Sequence, residues 1–85
     1  MKSFEYTITD EFGIHARPAG KLVKEAKKHE SKIEIILDGQ SVDASRLMAL
    51  MKLSVKYGQT VTVEVTGTDE EKAFVEMKKF VEENL

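Results

Sequence analysis

The chain has no cysteine. Disulfide scaffolds, thiolate zinc sites and thiol nucleophiles are therefore excluded. Its two histidines, His15 and His29, stand far apart in sequence and make a poor metal site, so no metal or other cofactor is implied. Tryptophan is absent and aromatics amount to 7%. A basic excess is lacking too: 13 Lys and Arg against 15 Asp and Glu leave a formal net charge of -2, which argues against a nucleic-acid binder. No apolar run approaches the ~20 residues of a membrane span. The opening Met1-Lys2-Ser3-Phe4-Glu5-Tyr6 alternates in polarity and lacks a signal-peptide core, so the expected setting is a reducing cytoplasm, without membrane insertion. Proline occurs once, at position 18.

What is present suits one small folded domain over 1–85, with 41% hydrophobic and 33% charged residues. Phe4, Tyr6 and Ile8 alternate with Glu5, Thr7 and Thr9, the period of a half-buried strand. Asp10 to Gly13 reads as a loop. From Ala16 the period becomes helical, with Ala19, Leu22, Val23 and Ala26 on one stripe. Arg17, Lys21, Lys24 and Lys28 follow a second, basic stripe.

Ile33, Ile35 and Leu37 predict a second strand ended by the hairpin signal Asp38-Gly39, and a short third strand follows around Ser41-Val42. A short helix fits Arg46 to Leu53. The chain turns at Tyr57-Gly58-Gln59, and Val61, Val63 and Val65 mark a strand over Thr60 to Thr66. The last helix is expected to open on a capping box, with Thr68 as cap and Glu71 three residues on. Ala73, Phe74, Met77, Phe80 and Val81 form its expected buried stripe. Four half-buried strands and helices to cover one face predict a two-layer α+β sandwich.

Gly13-Ile14-His15-Ala16-Arg17-Pro18-Ala19 stands where loop becomes helix. Proline is tolerated there because first-turn N–H groups have no helical partners. His15 is thus expected at or beside the N-cap, with the N–H groups of Ala16 and Arg17 directed outward as an anion site. The positive helix end favours a neutral, nucleophilic imidazole. Arg17 adds a guanidinium fork suited to phosphate oxygens. Isolated histidines before helices are commonly plain surface residues; this grouping instead describes phosphoryl acceptance on histidine. No Walker loop, magnesium carboxylate cluster or hydrolytic triad is seen, so the donor must come from elsewhere.

This segment resembles the active-site signature of HPr, the histidine-containing phosphocarrier family of the bacterial sugar phosphotransferase system. The resemblance extends along the chain through Asp38-Gly39, Leu47-Met48-Ala49-Leu50-Met51 and Gly67-Thr68-Asp69-Glu70. It implies an open-faced sandwich, βαββαβα, with three helices on a four-stranded antiparallel sheet of order 1-4-2-3. It also implies that His15 takes phosphate from phospho-Enzyme I on Nδ1 and gives it to the IIA component of a sugar permease, while Arg17 steadies the phosphoryl group. Such a protein is a carrier rather than an enzyme with its own turnover. The chain is expected to be a monomer, with a dimer or strand-swapped form left open by the sequence.

The resemblance assigns Leu47, Met48 and Met51 to the apolar centre of the partner interface, with Leu50 and Leu53 left to the core. Methionine suits an adaptable surface. Gly20, Lys21 and Lys24 beside the histidine, and Arg46 and Lys52 on the short helix, would extend that surface as a positive rim for acidic partners.

Position 46 departs from the family pattern, because many members hold there a serine phosphorylated by a regulatory kinase. Here the run is Ala44-Ser45-Arg46-Leu47. A one-residue shift turns a helical side chain by about 100°, so the role does not pass to Ser45. His29 lacks Arg and Gly framing and reads as structural. The alternative function is an HPr-like regulatory module that binds a regulator or an enzyme instead of feeding transport. An RNA-binding α+β domain lacks the basic sheet face and stacking aromatics it would need, and an acylphosphatase-like enzyme lacks its phosphate loop.

Overall fold

The computed structural model describes all 85 residues, 1–85. Seven elements follow in the order β1 (Lys2–Thr7), α1 (Ala16–Lys27), β2 (Lys32–Leu37), β3 (Gln40–Asp43), α2 (Leu47–Leu53), β4 (Thr60–Thr66) and α3 (Glu70–Asn84). The strands form one antiparallel sheet in the order β1-β4-β2-β3. This is the open-faced α+β sandwich expected, including the strand order that the resemblance implied.

Strand alternation decides which face is covered. Val61, Val63 and Val65 of β4 and Ile33, Ile35 and Leu37 of β2 are buried together with the apolar stripes of the helices. Phe4 and Tyr6 lie on an edge strand and are only partly buried. α1 contributes Pro18, Ala19, Leu22, Val23 and Ala26, while its basic stripe stays exposed. α2 buries Leu50 and Leu53, as expected. The opposite sheet face carries Ser3, Glu5, Glu34, Ser41, Thr62 and Glu64, with Ile36 as its apolar exception. No helix is long and apolar enough to cross a membrane.

Two expectations for α3 need correction. Its buried residues are Ala73, Met77 and Val81, whereas Phe74 and Phe80 are half-buried. The ring of Phe74 lies edge-on to Phe4, with 5.5 Å between centroids, and Lys2 Nζ lies 5.4 Å above it.

The cap is Asp69, not Thr68, and the expected box with Glu71 does not form. Asp69 accepts hydrogen bonds from the N–H groups of Glu30 and Ser31 and from the Ser31 hydroxyl. Thr68 Oγ1 donates to Glu30 Oε2 at 3.1 Å. Both side chains that could cap the helix instead fasten the α1–β2 loop across 38 residues of sequence. Glu70 supplies the backward contact by accepting the N–H of Gly67 at 3.2 Å. Bonding to Ser31 holds the Asp69 carboxyl below its ordinary value of 3.8.

Candidate functional site

The loop before α1 is shaped by local hydrogen bonds that leave one imidazole at its end. Asp10 Oδ1 accepts the N–H of Phe12 at 2.9 Å, and the Asp10 carbonyl accepts the N–H of Gly13 at 2.9 Å. Gly13 then takes φ +69°, where a Cβ would lie 2.3 Å from the Val55 carbonyl oxygen. Only glycine fits that close, left-handed position. Ile14 follows into the core and donates its N–H to the same Val55 carbonyl at 2.9 Å. On the other side, the N–H groups of Thr9 and Asp10 bond to the backbone oxygen of Leu85 at 2.8 and 2.9 Å.

His15 is consequently the N-cap residue of α1, in extended conformation, with its carbonyl accepting the N–H of Ala19 at 2.9 Å. Its side chain makes no capping bond, so the ring is available for other contacts. Ala16 and Arg17 are the first two helical residues and have no preceding helical carbonyls for their N–H groups. Pro18 comes third, where it deprives the helix of no bond.

The His15 side chain is 41% exposed. Asp10 Oδ2 lies 3.6 Å from Nε2, an ion-pair distance rather than a formed hydrogen bond. The ring of Phe12 stands nearly perpendicular to the imidazole, 5.8 Å between centroids. A shallow depression is lined by Asp10, His15, Arg17, Pro18, Lys21 and Asn84. Arg17, Lys21 and Lys24 enter none of the ion pairs of the structure. Arg17 and Lys21 line the depression at the start of the helix, and Lys24 stands in its last turn.

The structure brings His15, Arg17 and Lys21 together. Lys24 continues the exposed basic face, and Gly20 is half-buried between them. On α2, which packs against α1, Leu47 and Met48 are 43% and 69% exposed. They share a second shallow depression with Arg46, Ala49 and Lys52. Met51 is mostly turned inward against the core. Arg46 is the N-cap residue of α2. Ser45 donates its hydroxyl to Asp43 Oδ1 at 2.6 Å, which ties it into the turn before the helix. His29 lies beyond the other end of α1, a 12-residue helix about 18 Å long.

Asp10 and Phe12 were missed by sequence reasoning. Phe12 is a large side chain left mostly exposed. Their signal is positional: Asp10 and Phe12 precede a glycine that folds them back onto the histidine.

The family model described as "PTS HPr component phosphorylation site" matches residues 2–83. The chain belongs to the HPr family. Members are phosphocarriers of the phosphotransferase system, and that general role applies to this chain. The chain is 35% identical over 85 residues to the phosphocarrier protein HPr of Mycoplasma genitalium, covering 99% of this chain and 97% of that one. Its fold is similar to the crystal structure of HPr from Thermoanaerobacter tengcongensis, with a TM-score of 0.93 and 34% identity over 99% of this chain and 94% of the other. An HPr dimer from that organism also matches, at TM-score 0.76 and 35% identity, covering 98% and 95% of the two chains. The HPr relationship thus spans both the histidine segment and the α2 patch.

Proposed function

We propose that this HPr-family chain accepts a phosphoryl group on His15 from phospho-Enzyme I, itself charged by phosphoenolpyruvate, and passes it to IIA proteins for coupled sugar uptake. The observation that carries this reading is the placing of His15 at the N-cap of α1, with Arg17 in the same depression and Asp10 on Nε2. Nε2 holds the ring proton towards the Asp10 carboxylate, and the lone pair of Nδ1 attacks phosphorus as the bond to Enzyme I breaks. Nδ1 has no protein partner and is not buried, which favours this choice of nitrogen. The N–H groups of Ala16 and Arg17, with the Arg17 guanidinium, hold the phosphoryl oxygens.

Leu47 and Met48 form the apolar part of the docking face, with Met51 supporting them from beneath. Gly20, Lys21, Lys24, Arg46 and Lys52 supply its remainder and steer acidic partners. The chain works as a monomer in the cytoplasm, where both partners act. A reconstituted relay tests this reading. With phosphoenolpyruvate, Mg²⁺, Enzyme I and a IIA-containing permease, sugar phosphate should appear only when the chain is added. It should disappear with His15→Ala. Sugar phosphate formed equally by His15→Ala would overturn the proposal.

A further inference from the structure

A second group of polar side chains gathers at the far end of α1 and takes no part in the site above. The His29 side chain, just past the helix, is only 3% exposed. Its Nε2 lies 3.4 Å from Glu25 Oε2 on α1 and 3.8 Å from Glu76 Oε1 on α3. The ligand atoms of all three residues lie within 4.8 Å of one another. The other Glu25 oxygen, Oε1, is engaged by Lys28 Nζ at 3.2 Å, which fixes the carboxylate and leaves Oε2 directed at the ring.

We propose that Glu25, His29 and Glu76 bind a divalent transition-metal ion of the Zn²⁺ class, pinning the end of α1 to α3. Distances separate this from a plain ion pair. An imidazolium donating to a carboxylate closes to about 2.7–2.9 Å, and one ring N–H can point at only one of two carboxylates. Here Nε2 faces both: its hydrogen bond to Glu25 Oε2 is long, at 3.4 Å, and Glu76 Oε1 at 3.8 Å is beyond hydrogen-bond reach. Zinc bonded to nitrogen and oxygen at about 2.0–2.1 Å has tetrahedral edges of about 3.3–3.4 Å. The His29–Glu25 edge already has that length, and the Glu76 edge exceeds it by a few tenths of an ångström.

Two carboxylates converging on one buried imidazole also repel each other. A dication between them reverses that balance. The nitrogen donor favours Zn²⁺, Co²⁺ or Ni²⁺ over Mg²⁺ or Ca²⁺. Glu76 is partly exposed, leaving a fourth corner for water.

The test uses the whole chain, stripped with chelator, titrated with ZnCl₂ by calorimetry and thermal melting, and with CoCl₂ by visible absorption. The expected result is one zinc per chain, with four-coordinate Co²⁺ bands. Tm should rise by roughly 10 °C or more at free zinc about a hundredfold above Kd. His29→Gln and Glu76→Gln should each weaken binding at least tenfold, whereas His15→Ala should bind as the parent does. Glu76 is on the surface of α3, so Glu76→Gln remains informative even if His29→Gln fails to fold. Absence of saturable binding overturns the proposal. So does binding lost in His15→Ala but retained in Glu76→Gln, which would put the metal at Asp10 and His15. The outcome does not depend on whether His15 carries phosphate.

Discussion

At His15 the two ring nitrogens have different surroundings, and Asp10 makes the difference. A carboxylate facing Nε2 at 3.6 Å favours the tautomer protonated there and leaves the Nδ1 lone pair free for the proposed attack on phosphorus. The contact is long and half-exposed, so its effect is modest and tightens only when a partner covers it. Asp10→Asn is expected to slow phosphorylation by Enzyme I about three- to tenfold with little change in Tm. Stopped-flow rates and a melting curve of the same sample check this, and an unchanged rate would remove Asp10 from the account. His15 and Arg17 were legible in the sequence because they are neighbours in it, framed by Gly13 and Pro18. Asp10 and Phe12 were not, because only the left-handed turn at Gly13 folds them back onto the ring. Contacts made through one unusual backbone angle leave no periodic trace.

Among the elements, α1 carries both the histidine and a helix-interior glycine. A Cβ built at Gly20 meets nothing within 4 Å. Gly20→Ala should therefore stabilise the protein by about 0.5–1 kcal/mol through helix propensity alone. Chemical denaturation measures this; a loss of stability would contradict the packing described. If Gly20 lies in the docking face, the same substitution should also slow transfer, because the added methyl stands on the surface presented to partners.

The α3 cap has a different signature. The Asp69 carboxyl is held below its ordinary 3.8 chiefly by the Ser31 hydroxyl, with further help from the N–H groups of Glu30 and Ser31. A depressed carboxyl contributes stability that is present above its unfolded value and is lost as pH falls through the folded one. Unfolding measured from pH 6 down to 2 should show the parent losing this increment below about pH 4. Asp69→Asn should be less stable at pH 6 and show a smaller loss on acidification. Parallel curves for the two proteins would contradict the assignment. The box expected at Thr68 and Glu71 was a sound local pattern that tertiary structure overrode. Asp69 and Thr68 serve a loop 38 residues distant, and no local window contains that partner.

For the whole molecule, periodicity sufficed to find every strand and helix except β3, whose only apolar residue is Val42 and which followed from the Asp38-Gly39 turn. Which strands pair is a different matter. β4 lies between β1 and β2, and nothing in the alternation of Val61, Val63 and Val65 names those neighbours. The order came from resemblance to a family and holds in the structure. Exposure on α2 is likewise not set by periodicity: Met48 and Leu50 are both apolar residues of one short helix, yet one is 69% exposed and the other fully buried. Only the sheet beneath separates them.

The central claim is that His15 is the phosphoryl acceptor, and the position of the phosphate tests it most directly. The whole chain is incubated with Enzyme I, Mg²⁺ and phosphoenolpyruvate, and the product is mapped under alkaline conditions by mass spectrometry and ¹⁵N NMR of the imidazoles. The account predicts one acid-labile, base-stable phosphate, on Nδ1 of His15, and none on His15→Ala. Phosphate on His29, on a serine, or on no residue at all would contradict it.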